Sequence, residues 1–599
     1  MKLPLIKLSP RRRACGRRTV SRLLAALMWR LAGLLRLPAL RLRLRAVGAR
    51  WSTVAVAFGL GAWQAAQAQT PPLPPRIGLP NAYVPGACGP NVTFNPLGSV
   101  TLNGTASTLT INQTSGTAIL NWRDFNIAAG NSVVFRQPDA NAVALNRIYD
   151  PNVTRIDGSL QANGQVYLIN PNGLLFGSTA RVDVGGLIAS TLNIADDRVR
   201  SGLLSDPRVA VPVFAGGLDG AAANPAGRID VFAGATIRAA GRDQAGTVVR
   251  AGNVFLFAPE VNNAGSIQVD GGGQVIFAAG QRVFLTGSNT PTLRGLLVEV
   301  GEGGRVTHSG EIQSARGDVT LIGMAVNQAG RISATSALRE NGSIRLIARQ
   351  AATDGAPANQ FSVPQPGFFL QARSTGTVTV GSGSRTEVVL DRSDTATAPL
   401  NDEFAAQARS AIVIEGAQVR IGGDGAAGNT VLQARGGDVQ VTARADATAI
   451  GAAERILGAE DARATVTIGR DVRIDVSGER DVAVDGARNF VFIDRLTSSD
   501  LRDAPLQRDG FLRGQGVYLN VAQEHPFIDV SSRRAAVAGT QAERNASGGT
   551  IALRAEGAVE VAAGAVLDVS GGNTRTSAAS GRTSQLIDET GRIVDISRA

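Results

Sequence analysis

The sequence predicts an all-β chain wound as a parallel β-helix, a solenoid, and three observations lead there. Short alternating segments bounded by Gly, Asn, Asp or Pro follow one another along most of the chain. A glycine followed two residues later by isoleucine recurs at Gly227, Gly265, Gly310 and Gly330, each time at the start of such a segment. The composition, 71 Gly with 5% aromatic residues, suits a thin repetitive core. A β-helical rung buries a few Val, Ile, Leu or Phe side chains, stacks on its neighbours at about 4.8 Å, and turns on small residues. An array of β-sandwiches is the competing arrangement, and it calls for longer strands and more aromatic core.

Residues 1–68 read as an extended signal peptide. They hold 14 Lys and Arg and no acidic residue, so they carry the whole of the formal +11 charge; the rest of the chain has 46 basic against 49 acidic residues. Nucleic-acid binding is thereby excluded for the mature chain, which has no basic patch to neutralise phosphates. The apolar run 52–63 is too short to span a bilayer, and Ala66-Gln67-Ala68 places small residues before a cleavage between Ala68 and Gln69. A second apolar run, 23–35, is interrupted by Arg30. Arg17-Arg18 carries no twin-arginine meaning in so Arg-rich a leader, and export through the inner-membrane machinery in the unfolded state is expected. Of two cysteines, Cys15 leaves with the leader and Cys88 stays alone, which rules out an intramolecular disulfide.

A Pro/Gly-rich lead-in segment occupies 69–91. Strands are then expected at Ser99-Val100-Thr101-Leu102, Leu109-Thr110-Ile111, Ala118-Ile119-Leu120, Ser132-Val133-Val134-Phe135, Gln165-Val166-Tyr167-Leu168-Ile169 and Ala180-Arg181-Val182-Asp183-Val184. Helical periodicity is nearly absent, with 195–204 and 405–411 the only candidates. Beyond Gly227, second strands of like kind lie at Val254-Phe255-Leu256-Phe257, Val275-Ile276-Phe277, Val319-Thr320-Leu321-Ile322 and Ile344-Arg345-Leu346-Ile347. Asp-Val-Ser recurs at Asp475, Asp529 and Asp568. Rungs of about 22 residues would give roughly two dozen turns and a rod on the order of 110 Å.

The most informative run is Asn163-Gly164-Gln165-Val166-Tyr167-Leu168-Ile169-Asn170-Pro171-Asn172-Gly173-Leu174-Leu175-Phe176-Gly177. It joins an alternating strand to an Asn-Pro-Asn-Gly turn and a second apolar strand. Pro171 presets φ at the first central position, Asn172 tolerates the second, and Gly173 releases the chain without a Cβ penalty. A stiff, surface-facing turn is expected. With Asn121-Trp122-Arg123-Asp124-Phe125, Ala144-Leu145-Asn146-Arg147-Ile148, Ile156-Asp157-Gly158-Ser159-Leu160 and Val182-Asp183-Val184-Gly185-Gly186-Leu187-Ile188-Ala189-Ser190, it resembles the N-terminal two-partner secretion domain of filamentous-haemagglutinin exoproteins.

That resemblance covers about 92–195. It implies a right-handed β-helix with an N-terminal cap and a role in export, through recognition by an outer-membrane β-barrel transporter with periplasmic POTRA domains. Asn170, Pro171, Asn172 and Gly173 match the family's Asn-Pro-Asn-Gly element and are the transporter-recognition candidates that the resemblance supplies. The earlier Asn-Pro-Asn-Leu element of some members has no counterpart here, which places the sequence nearer the adhesin and haem-acquisition branch. The expected organisation is a leader at 1–68, a lead-in at 69–91, a secretion domain at 92–226, and a β-helical repeat region at 227–599 open to continuation in a longer protein.

Candidate chemistry is sparse. His308 and His525 are the only histidines and are far apart in sequence, so no triad or histidine metal site is expected. Asp196-Asp197 and Glu460-Asp461 read as exposed turns, and no cofactor is called for. Arg316-Gly317-Asp318 spells an integrin-binding tripeptide, but Asp318 leads directly into a strand. Trp122 and Phe125 read as core packing. Sequons at Asn91, Asn103, Asn112, Asn152, Asn341 and Asn545 fit an Asn- and Thr-rich β-protein. The expected protein is a non-enzymatic, secreted or surface-displayed adhesin-like exoprotein, with a host-cell or cell-surface glycan as the candidate receptor, whose identity the sequence does not give. A β-helical polysaccharide-acting enzyme and the delivery stalk of a toxin or growth-inhibition system are the alternatives.

Overall fold

The computed structural model describes residues 79–82, 98–204, 211–243, 245–287, 295–351, 372–399, 409–423, 425, 428–445 and 461–598. All belong to one unit, Pro75–Ala599. The leader, the Ala68–Gln69 cleavage position, the lead-in apart from 79–82, and positions 405–408 of the second helix candidate lie outside the described residues.

The strands stack into three long sheets. In the first, Thr117–Asp124, Val143–Ile148, Gln165–Ile169, Gly186–Ser190, Val254–Ala258, Gln274–Gly287, Asp318–Gly323, Ser343–Ala351, Ala411–Gly416, Asp438–Ala443 and Thr550–Ala555 pair in that order, all parallel. The second runs from Thr154–Ile156 through Leu174–Phe176 and Arg228–Val231 to Val559–Val561. The third runs from Val100–Gly104 and Thr108–Gln113 through Ser132–Arg136, Arg181–Val184 and Ser266–Val269 to Val566–Asp568. The chain visits the first, second and third sheets in turn and returns to the first one position further along. The parallel β-helix expected from the sequence is the fold observed.

Alternation sets the register. Leu168 pairs with Ala189, and that row continues through Leu256, Phe277, Leu321, Leu346, Ile414 and Val441 to Leu553. Up to Val441 these side chains are buried in one continuous core, and each full burial of an aliphatic side chain is worth about 1.5–3 kcal/mol. A one-residue slip would turn the whole row outward. The glycine repeat marks a corner: a Cβ on Gly310 would stand 2.1 Å from the Gly265 carbonyl oxygen, and one on Gly330 would stand 2.3 Å from that of Gly310. Gly227 shares the pattern but not the place, since its strand Arg228–Val231 lies in the second sheet and those after Gly265, Gly310 and Gly330 lie in the third.

The first sheet has eleven parallel strands, so the coil is about 48 Å long at one rung per 4.8 Å, shorter than the two dozen rungs expected. Insertions account for the difference. A bare rung takes Leu168 to Ala189, whereas the step from Val441 to Leu553 carries a whole inserted module. That module pairs Phe490–Ile493 with Val517–Asn520 and adds the short helices Pro505–Arg508, Ser531–Ala535 and Gln541–Arg544. Its small core includes Leu501, Leu512, Leu519 and Val521.

A second insertion covers the outer face of the first sheet. Helix Asp196–Ser201, strand Phe214–Ala215 and the antiparallel pair Gln274–Gly287 with Leu296–Gly303 bring Val199, Phe214, Val283 and Val300 against Tyr167, Ile188, Phe255 and Ile276. The helix falls inside the 195–204 candidate. The other candidate is not helical at its visible end, where Ala411 begins a strand of the first sheet. At the N-terminal end, the hairpin Val100–Gly104 with Thr108–Gln113 and the antiparallel strand Asn81–Ala82 cap the sheets and keep their edges from being open pairing templates. No helix among the described residues is long and apolar enough to cross a membrane.

Candidate functional site

The 170–173 turn links Gln165–Ile169 of the first sheet to Leu174–Phe176 of the second and is therefore a corner of one rung. The Gly173 N–H donates to the Asn170 carbonyl at 3.0 Å, closing a turn with Pro171 and Asn172 at its centre. Gly173 has φ of 114°, and a Cβ there would stand 2.8 Å from the Arg228 carbonyl oxygen of the next rung. Glycine is required both by conformation and by the close stacking.

Asn170 departs from expectation. Instead of facing solvent it is fully buried. Its Nδ2 donates to the Asn152 carbonyl at 3.0 Å and to Thr154 Oγ1 at 2.9 Å, while its Oδ1 accepts from the Asn172 N–H at 2.9 Å. Asn172 Nδ2 donates to the Asp150 carbonyl at 2.8 Å. On the other side, Asn224 Nδ2 donates to the Pro171 carbonyl at 3.1 Å. A buried corner cannot leave these carbonyls to water, so amide side chains satisfy them. Only Pro171 and Asn172 keep partial exposure.

The same device recurs beside it. Asn146 points into the core with no exposure; its Oδ1 accepts from Trp122 Nε1 at 2.8 Å, and its Nδ2 donates to the Ala144 and Tyr167 carbonyls. Asn163 grips the Gln137 backbone at both ends, at 2.8 Å and 2.9 Å, and Gln137 Nε2 reaches Gln113 Oε1 and the Ala142 carbonyl. Arg147 faces outward and holds the covering helix, through Asn193 Oδ1, the Ile194 carbonyl and the Asp196 carboxylate at 2.6 Å. These brace residues belong to motifs visible in the sequence. Their roles were missed, and the available signal was a polar residue at the inward phase of an apolar strand.

The residues that match the family model of the TPS secretion domain run from 93 to 354 and take in every brace described above. Residues 93–354 therefore carry a TPS secretion domain. Two heme/hemopexin-binding proteins of Haemophilus influenzae are 40% and 43% identical to it over 98 residues, which is 16% of this chain and 11% of each relative. The chain therefore matches only a small part of the relatives' length. The crystal structure of the HMW1 secretion domain from Haemophilus influenzae has a TM-score of 0.45 at 19% identity, covering 65% of this chain and 85% of that one. Both curated relatives are named for binding rather than for a reaction.

The other candidates are placed as follows. Trp122 and Phe125 are fully buried, edge to face at 5.2 Å, as core packing requires. Asp318 is buried in its strand and accepts from Ser343 Oγ at 2.7 Å, while Arg316 Nε donates to Asp391 at 2.6 Å, so both charged side chains of the tripeptide are engaged within the protein. Asp196 is not a bare exposed turn but the carboxylate that Arg147 holds. His308 is fully buried between Asn263 and the Arg331 carbonyl, and burial pushes its pKa down to about 4. His525 Nε2 bonds the Asn520 carbonyl at 2.8 Å in the inserted module, so the two histidines serve separate places. No group of three or more His, Cys, Asp or Glu suited to a metal ion occurs among the described residues.

Proposed function

We propose that this is an adhesin-like exoprotein whose N-terminal rungs are read by a cognate outer-membrane transporter with POTRA domains. The observation that carries the reading is the coincidence of the secretion-domain match with a dense set of buried amide braces. Within it, Asn170, Pro171, Asn172 and Gly173 act mainly by holding a corner of the recognised fold, because Asn170 is committed to internal hydrogen bonds. Cleavage after Ala68 releases a chain that folds outside the cell, rung upon rung. The burial of each apolar row then draws the chain outward where no nucleotide is available.

The test is secretion of the full chain with its transporter co-expressed. Asn170→Ala should lower the secreted amount severalfold and raise protease sensitivity of the secretion domain in parallel. An Asn170→Ala chain that is secreted at the normal level would remove the proposed role. Loss of secretion with an unperturbed fold would instead assign the turn to direct transporter contact. The adhesive role is tested by cell and glycan binding of the secreted chain.

A further inference from the structure

A cavity of about 520 Å³ lies over the outer face of the first sheet, between the N-terminal ends of its early strands and the covering helix Asp196–Ser201 with the residues after it. Its size is that of a small-molecule site. Its lining includes Arg250 and Arg200 and, among the described residues, no Asp or Glu. Arg200 is exposed at the rim, whereas Arg250 is half-buried and its Nη1 is buried with no hydrogen-bond partner. A guanidinium N–H buried without a partner is costly and calls for an acceptor, best an anionic one.

The fold places that guanidinium deliberately. Strand Val248–Arg250 pairs antiparallel with Gly241–Arg242, and Arg250 lies opposite Gly241. A Cβ on Gly241 would stand 2.7 Å from the Arg250 Cβ, so glycine there admits the arginine. Beside it is Tyr167, whose hydroxyl has one long hydrogen bond, to Gln165 Oε1 at 3.4 Å. Burial pushes the Tyr167 pKa up to about 12 against the opposing effect of Arg250. The phenol therefore stays a neutral donor and does not neutralise the arginine. The rest of the wall is apolar, with Val143, Ile188, Phe255 and Leu296.

We propose that this cavity binds a small amphipathic carboxylate. Its head group pairs with Arg250, and its apolar body lies against Val143, Ile188, Phe255 and Leu296. A carboxylate matches the planar fork of a single half-buried guanidinium group, and the apolar wall adds affinity by area removed from water. A bound molecule would also clasp the covering helix to the sheet, because both line the cavity. The cavity lies within residues 93–354 but does not use the 170–173 turn.

The experiment is calorimetric titration of the secreted full chain with dodecanoate, and with 1-dodecanol as the uncharged counterpart. One molecule per chain should bind, with dodecanoate about tenfold or more tighter than the alcohol, the size of a charge-assisted bond. Arg250→Gln should remove most of that preference, Arg250→Lys should retain part of it, and Arg200→Gln at the rim should change it about twofold. Circular dichroism establishes that each variant is folded. Equal affinity for acid and alcohol, unchanged binding by a folded Arg250→Gln chain, or uptake of several molecules per chain would overturn the proposal.

Discussion

Asn146 occupies a position where an alternating strand would place Val or Leu, and it answers three buried partners at once: Trp122 Nε1, the Ala144 carbonyl and the Tyr167 carbonyl. Asn146→Leu keeps the branched shape but strands all three, so a loss of about 3 kcal/mol is expected in denaturant unfolding. A loss under about 0.5 kcal/mol would mean the three groups find other partners. His308 supplies a pH dependence of known sign. Its Nε2–H donates to the Arg331 carbonyl, and its Nδ1 accepts from Asn263 Nδ2, an arrangement that needs the neutral ring. Burial lowers the folded pKa from 6.5 to about 4, so the unfolded chain takes up the proton first as pH falls. The stabilisation is complete above pH 6.5 and is lost as pH falls toward 4, by about 3 kcal/mol in all. Unfolding midpoints at pH 7.5 and pH 4.5 should therefore differ more for the native chain than for His308→Gln; equal differences would assign the acid lability to carboxylates.

Strands were legible because each carries its own alternation; the sheet to which each belongs was not. Gly227 and Gly265 begin similar segments, yet one precedes the second sheet and the other the third, because both corners need a small residue before an alternating strand and the local pattern does not tell them apart. The 170–173 turn was legible as a turn, but the burial of Asn170 depends on partners at 152 and 154, in another rung, which local pattern does not reveal. The covering layer on the first sheet was legible only as a short helix candidate, since its apolar partners Phe214, Val283 and Val300 are scattered over the sequence. Arg147 joins helix and sheet through three acceptors. Arg147→Ala should free the helix locally while leaving the rungs intact. Tryptic cleavage after Arg198 or Arg200 should rise about tenfold, the size expected for losing a charge-assisted anchor. Unchanged cleavage would show that Val199 packing alone holds the helix.

In a solenoid each rung rests only on its neighbours, so stability is distributed along the axis and is lowest where a neighbour is missing. The N-terminal end is closed by antiparallel strands. Among the described residues the last rung is not covered in the same way: Val559 and Val561 of the second sheet are 41% and 45% exposed, and Leu567 of the third is 41% exposed, although their counterparts one rung earlier, Val466, Ile468 and Ile474, are buried. Hydrogen exchange should therefore grade along the first sheet, fastest in Thr550–Ala555 and slowest in Gly186–Ser190 and Val254–Ala258, which have rungs on both sides and the second core above them. Paired substitutions separate this from a single cooperative transition. Leu168→Ala, in the fully buried part of the row, should cost about 2–5 kcal/mol. Leu553→Ala, in the same row but only partly buried, should cost about 1 kcal/mol and alter exchange in the last rungs alone. Uniform protection along the row, with both substitutions lowering it everywhere by their own amounts, would mean that the rungs unfold as one body and that the exposed end sets no gradient.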